Sequence, residues 1–119
     1  MKTKCRSIAV ALLFGALTTT PSHAAVKIVT GDNRYVAAHL ARQVGFADVT
    51  VLSGDELALL SFPALVQRAE HVNVFAEVEP QMKETIVRAL RARGHVTGYL
   101  GDGINDAPAL HAADVGISV

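Results

Sequence analysis

An α/β fold, with a parallel sheet covered by helices on both faces, is predicted by three features of this 119-residue sequence. Short apolar runs alternate with helical patterns from residue 25 onward. Glycines or prolines stand where those patterns start and stop. No internal repeat, low-complexity tract or linker breaks the alternation.

Residues 26–29 read as a strand that ends in Thr30-Gly31-Asp32-Asn33. Val36, Leu40 and Val44 then recur at helical spacing, Ala37, Ala38 and Ala41 favour helix, and Gly45 is placed to end it. Residues 49–52 give a short strand, and Asp55 opens a helical turn. Pro63 suits the first turn of a helix running to about Ala69. Residues 72–75 form the next strand. After Glu79-Pro80 comes the clearest helix, with Ile86, Val87 and Leu90 as its apolar stripe. Lys83, Arg88, Arg91 and Arg93 make its polar face, and Gly94 stops it. Residues 95–100 form a strand ending in Gly101-Asp102-Gly103. Asn105 or Asp106 caps a helix through Leu110 to about Ala113, and residues 115–119 make a last strand.

Residues 1–24 differ from the rest. Lys2, Lys4 and Arg6 precede a ten-residue apolar run over residues 8–17. A polar stretch with Pro21 and then Ser22-His23-Ala24 follows, with small residues at −3 and −1 of a cut after Ala24. That is the layout of a secretory signal peptide, so residues 1–24 are expected to form a leader and 25–119 the domain. The apolar run is shorter than the roughly 20 residues that cross a bilayer, and no other segment approaches that length. Beyond the leader, the remaining eight basic residues face all eleven acids, for a net −3. A neutral-to-acidic chain without a basic stripe argues against a nucleic-acid footprint. One cysteine, Cys5, excludes an internal disulfide and any multi-thiolate metal site.

Ligands of parallel α/β sheets collect beyond the carboxyl ends of the strands. Thr30-Gly31-Asp32, residues 77–83 and residues 101–106 all fall at such ends. Asp102 and Asp106, across a glycine turn, are placed to present two carboxylates to one hard cation, and Mg²⁺ takes one or two carboxylates plus waters and a phosphate oxygen. The Thr30 hydroxyl and Lys83 ammonium suit a phosphate oxygen, and the helix opening at Asn105 adds N–H donors. Glu77, Glu79 and Asp114 read as loop or turn residues without a role. His39, His71, His95 and His111 show no metal-ligand spacing and read as surface, loop or helix-end residues.

The ten residues Gly101-Asp102-Gly103-Ile104-Asn105-Asp106-Ala107-Pro108-Ala109-Leu110 resemble the signature of the phosphorylation domain of P-type cation-transporting ATPases. Thr30-Gly31-Asp32-Asn33 resembles that family's TGD segment, and Pro80-Gln81-Met82-Lys83 the loop bearing its lysine. The three occur in family order within residues 26–119, and residues 74–119 look most like the magnesium-transporting branch. The resemblance implies a haloacid-dehalogenase-like, Rossmann-like fold, here incomplete, with Mg²⁺ and ATP as cofactors. It implies that Thr30 holds the phosphoryl group, with Gly31 and Asp32 in the same nucleotide-facing loop. Lys83 would balance charge at the phosphoryl group, Asp102 would bind Mg²⁺, Asp106 would support that site, and Asn105 would hydrogen-bond phosphate.

The departures matter as much. The family nucleophile is an Asp in a DKTGT segment, and no such segment occurs in this sequence. The strand that carries it, central to the family's sheet, is missing with it, as are the nucleotide-binding domain, the actuator domain and every transport helix. The expectation is therefore a fragment that binds Mg²⁺ and phosphate but is not catalytic alone, with an unpaired sheet edge. The alternatives are a small exported Mg²⁺- or phosphate-binding module, and a subunit completed in trans by a chain bearing the nucleophile strand. The leader points to export, whereas the family's domain works on the cytoplasmic face of the membrane.

Overall fold

The computed structural model describes residues 9–14 and 25–119. Its chain order is β1 (Ala9–Phe14), β2 (Ala25–Val29), α1 (Arg34–Gln43), β3 (Val51–Ser53), α2 (Gly54–Ala58), α3 (Phe62–Ala69), β4 (Val74–Ala76), α4 (Pro80–Ala92), β5 (Val96–Gly101), α5 (Ala107–Ala112) and β6 (Val115–Ser118). The strands form one sheet in the order β3-β4-β2-β1-β5-β6. Each parallel neighbour pair obeys the alternation predicted from sequence: β3 with β4, β4 with β2, and β5 with β6. The fold class is therefore the predicted one, α/β with helices on both faces.

The centre of the sheet departs from expectation. The slot between β2 and β5 is not empty but holds β1, part of the segment read as a leader. β1 runs antiparallel to both neighbours, from Ala9 opposite Val29 to Leu13 opposite Ala25 on one side, and from Val10 opposite Leu100 to Phe14 opposite Val96 on the other. Chain length explains the direction. Only residues 15–24 join β1 to β2, fewer than the dozen or more that a parallel crossover requires. The rest of the leader, including the cut after Ala24, lies outside the described residues.

The larger core packs α2 to α5 against one sheet face through Val29, Leu52, Leu57, Leu65, Phe75, Ile86, Leu90 and Tyr99. The other face carries α1, where Ala37 and Ala41 press on Ile28, Val74 and Ala76. Here the predicted stripe is corrected: Val36 and Val44 are exposed and the alanines face the sheet. Small side chains bring a helix close to a strand surface, and the stripe predicted from large apolar residues missed that face. Turn chemistry follows the sequence: Gly45 and Gly94 take positive φ (103° and 91°) just beyond α1 and α4, which glycine adopts without strain. Ser53 and Glu56 close a reciprocal capping box on α2, and Ser61 caps α3 ahead of Pro63.

The amino ends of the strands are tied by charge. Lys27 of β2 is buried and its ammonium donates to the carbonyls of Glu70 and Val72, just past the end of α3. Glu70 in turn accepts from His95 at 2.7 Å and Arg93 at 2.8 Å, and the His95 contact most of all holds its carboxyl below the usual range. His95 is thus a hydrogen-bond partner of Glu70 rather than a plain loop residue. Asp114, given no role from sequence, accepts from the Thr97 backbone N–H at 2.8 Å and from Arg91 at 3.0 Å, tying α4 and β5 to the start of β6. The Thr97 amide is the main reason its carboxyl titrates low.

Burial lowers the Lys27 pKa from 10.5 to about 8, against the opposing pull of Glu70. Between those two values the unfolded chain binds the extra proton, so stability rises with pH from about 8 to about 10.5. The rise is at most about 3 kcal/mol at 1.36 kcal/mol per unit. Urea unfolding followed by circular dichroism at pH 7.5 and 10 should show it in the wild type. The Lys27→Met variant should lose most of that difference; an unchanged pH dependence would count against a desolvated lysine.

Candidate functional site

The carboxyl ends of β2, β4 and β5 carry the three predicted clusters, and the sheet brings them to one rim. Thr30 closes β2. Its amide donates to the Phe75 carbonyl and its own carbonyl accepts from Val78, so the residue is fixed between β2 and the β4–α4 connection. Its buried Oγ1 accepts from the Asp32 amide at 3.1 Å, which leaves the hydroxyl proton as a donor. Gly31 has ordinary φ, and a Cβ there would meet only the Val78 carbonyl oxygen at 3.5 Å. Asp32 is half-buried, and its carbonyl accepts from the Glu77 amide.

Lys83 and Asp106 form the centre of the rim. Lys83 sits on the first turns of α4, where the sequence pattern put it on the polar face. The structure corrects this: Lys83 is 6% exposed, because its ammonium has a carboxylate to meet inside. It donates to Asp106 Oδ1 at 2.8 Å, and the Asp106 carboxyl group is fully buried. Asp106 Oδ2 accepts from the Asp102 backbone amide at 3.0 Å. Gly101 makes room for this, since a Cβ there would lie 2.5 Å from Asp106 Oδ2 and 2.8 Å from Tyr99 Cε1.

Asp102 has a different exposure. Its Oδ1 accepts from the Ile104 amide at 2.8 Å and the Asn105 amide at 3.4 Å, while Oδ2 meets only the Asn105 side-chain amide at 3.5 Å. Asn105 is exposed. The two aspartates are thus near one another but not equivalent. Asp102 Oδ2, at a half-exposed position, has only that one long contact, whereas both oxygens of Asp106 are engaged at 2.8 and 3.0 Å. Among the described residues no three His, Cys, Asp or Glu side chains gather as a metal cage. One open carboxylate oxygen fits a Mg²⁺ ion that keeps most of its waters, with Asp106 acting behind it through the Asp102 amide.

The expected help from a helix N-terminus is corrected. α5 begins at Ala107, spans six residues and has Pro108 without an N–H, and the Ile104 and Asn105 amides are spent on Asp102. Donors at this rim come instead from Thr30 and Lys83.

Sequence reasoning missed a second tie across the rim. Arg34, at the start of α1, donates to both carboxylate oxygens of Glu77 at 3.1 Å from Nε and Nη2, and its amide adds a bond of 3.0 Å. That fork keeps the Glu77 carboxyl below its usual range. Glu77 takes φ of +56°, a rare conformation for a side-chain-bearing residue. Gly54 is required beside it, since a Cβ there would lie 2.1 Å from the Glu77 carbonyl oxygen. Nothing in the sequence pattern marks Glu77, because its partner lies 43 residues away.

Tyr99 is the other residue missed. Its hydroxyl is buried and has no hydrogen-bond partner among the described residues. Burial, with the Asp106 charge adding to it, pushes the phenol pKa well above its usual value.

This layout is that of an α/β domain with a polar cluster at the carboxyl rim of its sheet. Residues 21–114 match the sequence profile of the haloacid dehalogenase-like hydrolases, and the chain belongs to that family. Within it, the chain is similar to P-type cation-transporting ATPases. It is 49% identical over 94 residues to "Magnesium-transporting ATPase, P-type 1" of Escherichia coli strain K12, covering 79% of this chain and 10% of that protein. It is 45% identical over 96 residues to "Calcium-transporting ATPase 1" of Saccharomyces cerevisiae, covering 77% and 10%. It is 45% identical over 101 residues to "Probable cation-transporting ATPase F" of Mycobacterium tuberculosis, covering 80% and 11%. The chain thus spans about a tenth of the length of these curated relatives. No helix among the described residues is long and apolar enough to cross a membrane.

Removing one partner of the buried pair strands the other charge. Asp106→Ala should cost about 3–5 kcal/mol in urea unfolding, and Lys83→Met with Asp106→Leu together should cost less than Asp106→Ala alone. A double variant as unstable as the single would show that the pair's worth is more than charge compensation. Tyr99→Phe removes a buried hydroxyl that has no partner among the described residues and should raise the unfolding free energy by about 1 kcal/mol. A loss of stability in Tyr99→Phe would mean that the hydroxyl has a partner.

Proposed function

We propose that this chain is the Mg²⁺- and phosphate-binding portion of a P-type ATPase-like phosphorylation domain, and that it does not hydrolyse ATP by itself. The reading rests on one observation above the others. Thr30, Lys83, Asp102 and Asp106 share the carboxyl rim of the sheet, while the central strand gives that rim Ala9, opposite Val29, instead of a carboxylate. In this reading Asp102 Oδ2 would take Mg²⁺ and the Thr30 hydroxyl would donate to a phosphate oxygen. Asp106 would hold Asp102 and Lys83 in place, Gly31 and Asp32 would face the nucleotide, and the exposed Asn105 amide would reach phosphate. Bound Mg²⁺ would supply charge neutralisation at the phosphate. The step the chain lacks is the covalent one, because positioning groups do not replace a nucleophile that attacks the γ-phosphorus. The transport activities in the relatives' names belong to proteins of which the matched stretch is about a tenth.

Two measurements test the reading together. Incubation with γ-labelled ATP and Mg²⁺ followed by acid precipitation should leave no label on the protein; an acid-stable, hydroxylamine-sensitive label would overturn the non-catalytic part. Titration calorimetry with Mg²⁺ and inorganic phosphate should give a dissociation constant in the millimolar range. Asp102→Asn and Thr30→Ala should each weaken it at least about fivefold, near 1 kcal/mol apiece. No heat from the wild-type chain would remove the binding part. Label appearing only when a second chain supplies an aspartate-bearing strand would favour completion in trans.

A further inference from the structure

We propose that residues 9–14 have two exclusive fates, central strand of the folded sheet or apolar segment of an export leader, so that folding and export compete for one segment. The proposal rests on the leader reading of residues 1–24 for its second half and on the sheet for its first. β1 is bonded along both edges, to β2 and to β5, and these two strands have no other link in the sheet. Without β1 the sheet separates into β3-β4-β2 and β5-β6, with two unpaired edges facing across about 10 Å, twice the strand spacing. Those edges carry Val29 and Tyr99, both in the larger core, so the loss of β1 opens the core as well as the ladder. Conversely, a leader is read by export machinery as an accessible apolar run, and a strand clamped by two ladders presents none. The composition of the run allows both fates. Ala-Val-Ala-Leu-Leu-Phe is apolar throughout, as suits both a strand buried on two faces and a leader's apolar region.

The inference predicts that folding stability, set far from the leader, controls how much chain is processed. Phe75→Ala in β4 and the milder Val87→Ala in α4 truncate buried side chains outside β1 and outside the candidate site. The full-length chain and both variants would be expressed in an exporting bacterium and the product beginning at Ala25 quantified by intact mass. In parallel, amide hydrogen exchange would be measured on purified full-length wild type. Ala9–Phe14 amides should exchange at least about a hundredfold more slowly than in an unstructured peptide. The processed fraction should rise at least about threefold in Val87→Ala, where about 1 kcal/mol shifts the open population fivefold, and further in Phe75→Ala. Random-coil exchange over residues 9–14 would overturn the strand half. Slow exchange with no processed product in any of the three chains would overturn the leader half alone. Processing at one level in all three would overturn the competition itself.

Discussion

The Lys83–Asp106 ion pair is the contact on which the rim of this domain depends. Lys83 comes from α4, which follows β4, and Asp106 from the loop after β5, so the pair spans two strand ends that are not neighbours in the sheet. Both groups are buried, and a buried charge without its partner is far costlier than an exposed one, so the loop has one acceptable position over the sheet. The second oxygen of Asp106 then fixes the Asp102 amide, while the half-exposed Asp102 carboxylate is held by Ile104 and Asn105, its Oδ2 by one long contact only. Gly101 is the geometric condition for all of it, since any side chain there would displace either Asp106 or Tyr99. Tyr99 lies beside them, buried, and its hydroxyl has no partner among the described residues.

Much of this is legible in the sequence. Strand ends were marked by Thr30-Gly31-Asp32 and Gly101-Asp102-Gly103, and helix ends by Gly45, Pro63 and Gly94, because turn chemistry is local and leaves local traces. What failed was whatever depends on a partner distant in sequence. Lys83 carries the period of an exposed residue and is buried only because Asp106, 23 residues on, receives it. Glu77 looked like a loose loop residue and is instead held by the Arg34 fork at a positive φ. On α1 the larger apolar residues point outward and the alanines inward, since what decides that face is how closely the helix approaches Ile28 and Val74. Asp114 and His95 likewise took their roles from Thr97, Arg91 and Glu70, none of them a near neighbour in the chain.

The apolar run over residues 8–17 is instructive in another way, because Ala9–Phe14 within it is a sheet strand while the run also fits a leader. A continuous apolar run carries no period, so nothing in it separates a buried strand from a leader's apolar region. Flanking residues favoured a leader, and the basic residues and the small residues before Ala25 still fit one. The sheet supplied the competing term: two parallel half-sheets with unpaired inner edges are a strong template for any apolar extended segment close by. Pairing along both edges satisfies backbone groups of β2 and β5 that would otherwise lie at the centre of the molecule without partners.

The direction of that central strand decides which of its residues lies at the rim. A strand parallel to β2 and β5 would end at the rim and deliver its carboxyl-terminal residue between Thr30 and Asp102. β1 runs the other way, ends at Phe14 opposite Val96, and contributes Ala9 near the rim. Its direction follows from a chain-length constraint, since the ten residues after it are too few for a crossover that would reverse it. The polar groups of the rim are thus held by strands β2, β4 and β5, while the central strand adds Ala9 there. The likeness to P-type ATPases, 49% over 94 residues for one of them, lies with the strands and turns that hold this rim, while the central strand is set by the short connection after it.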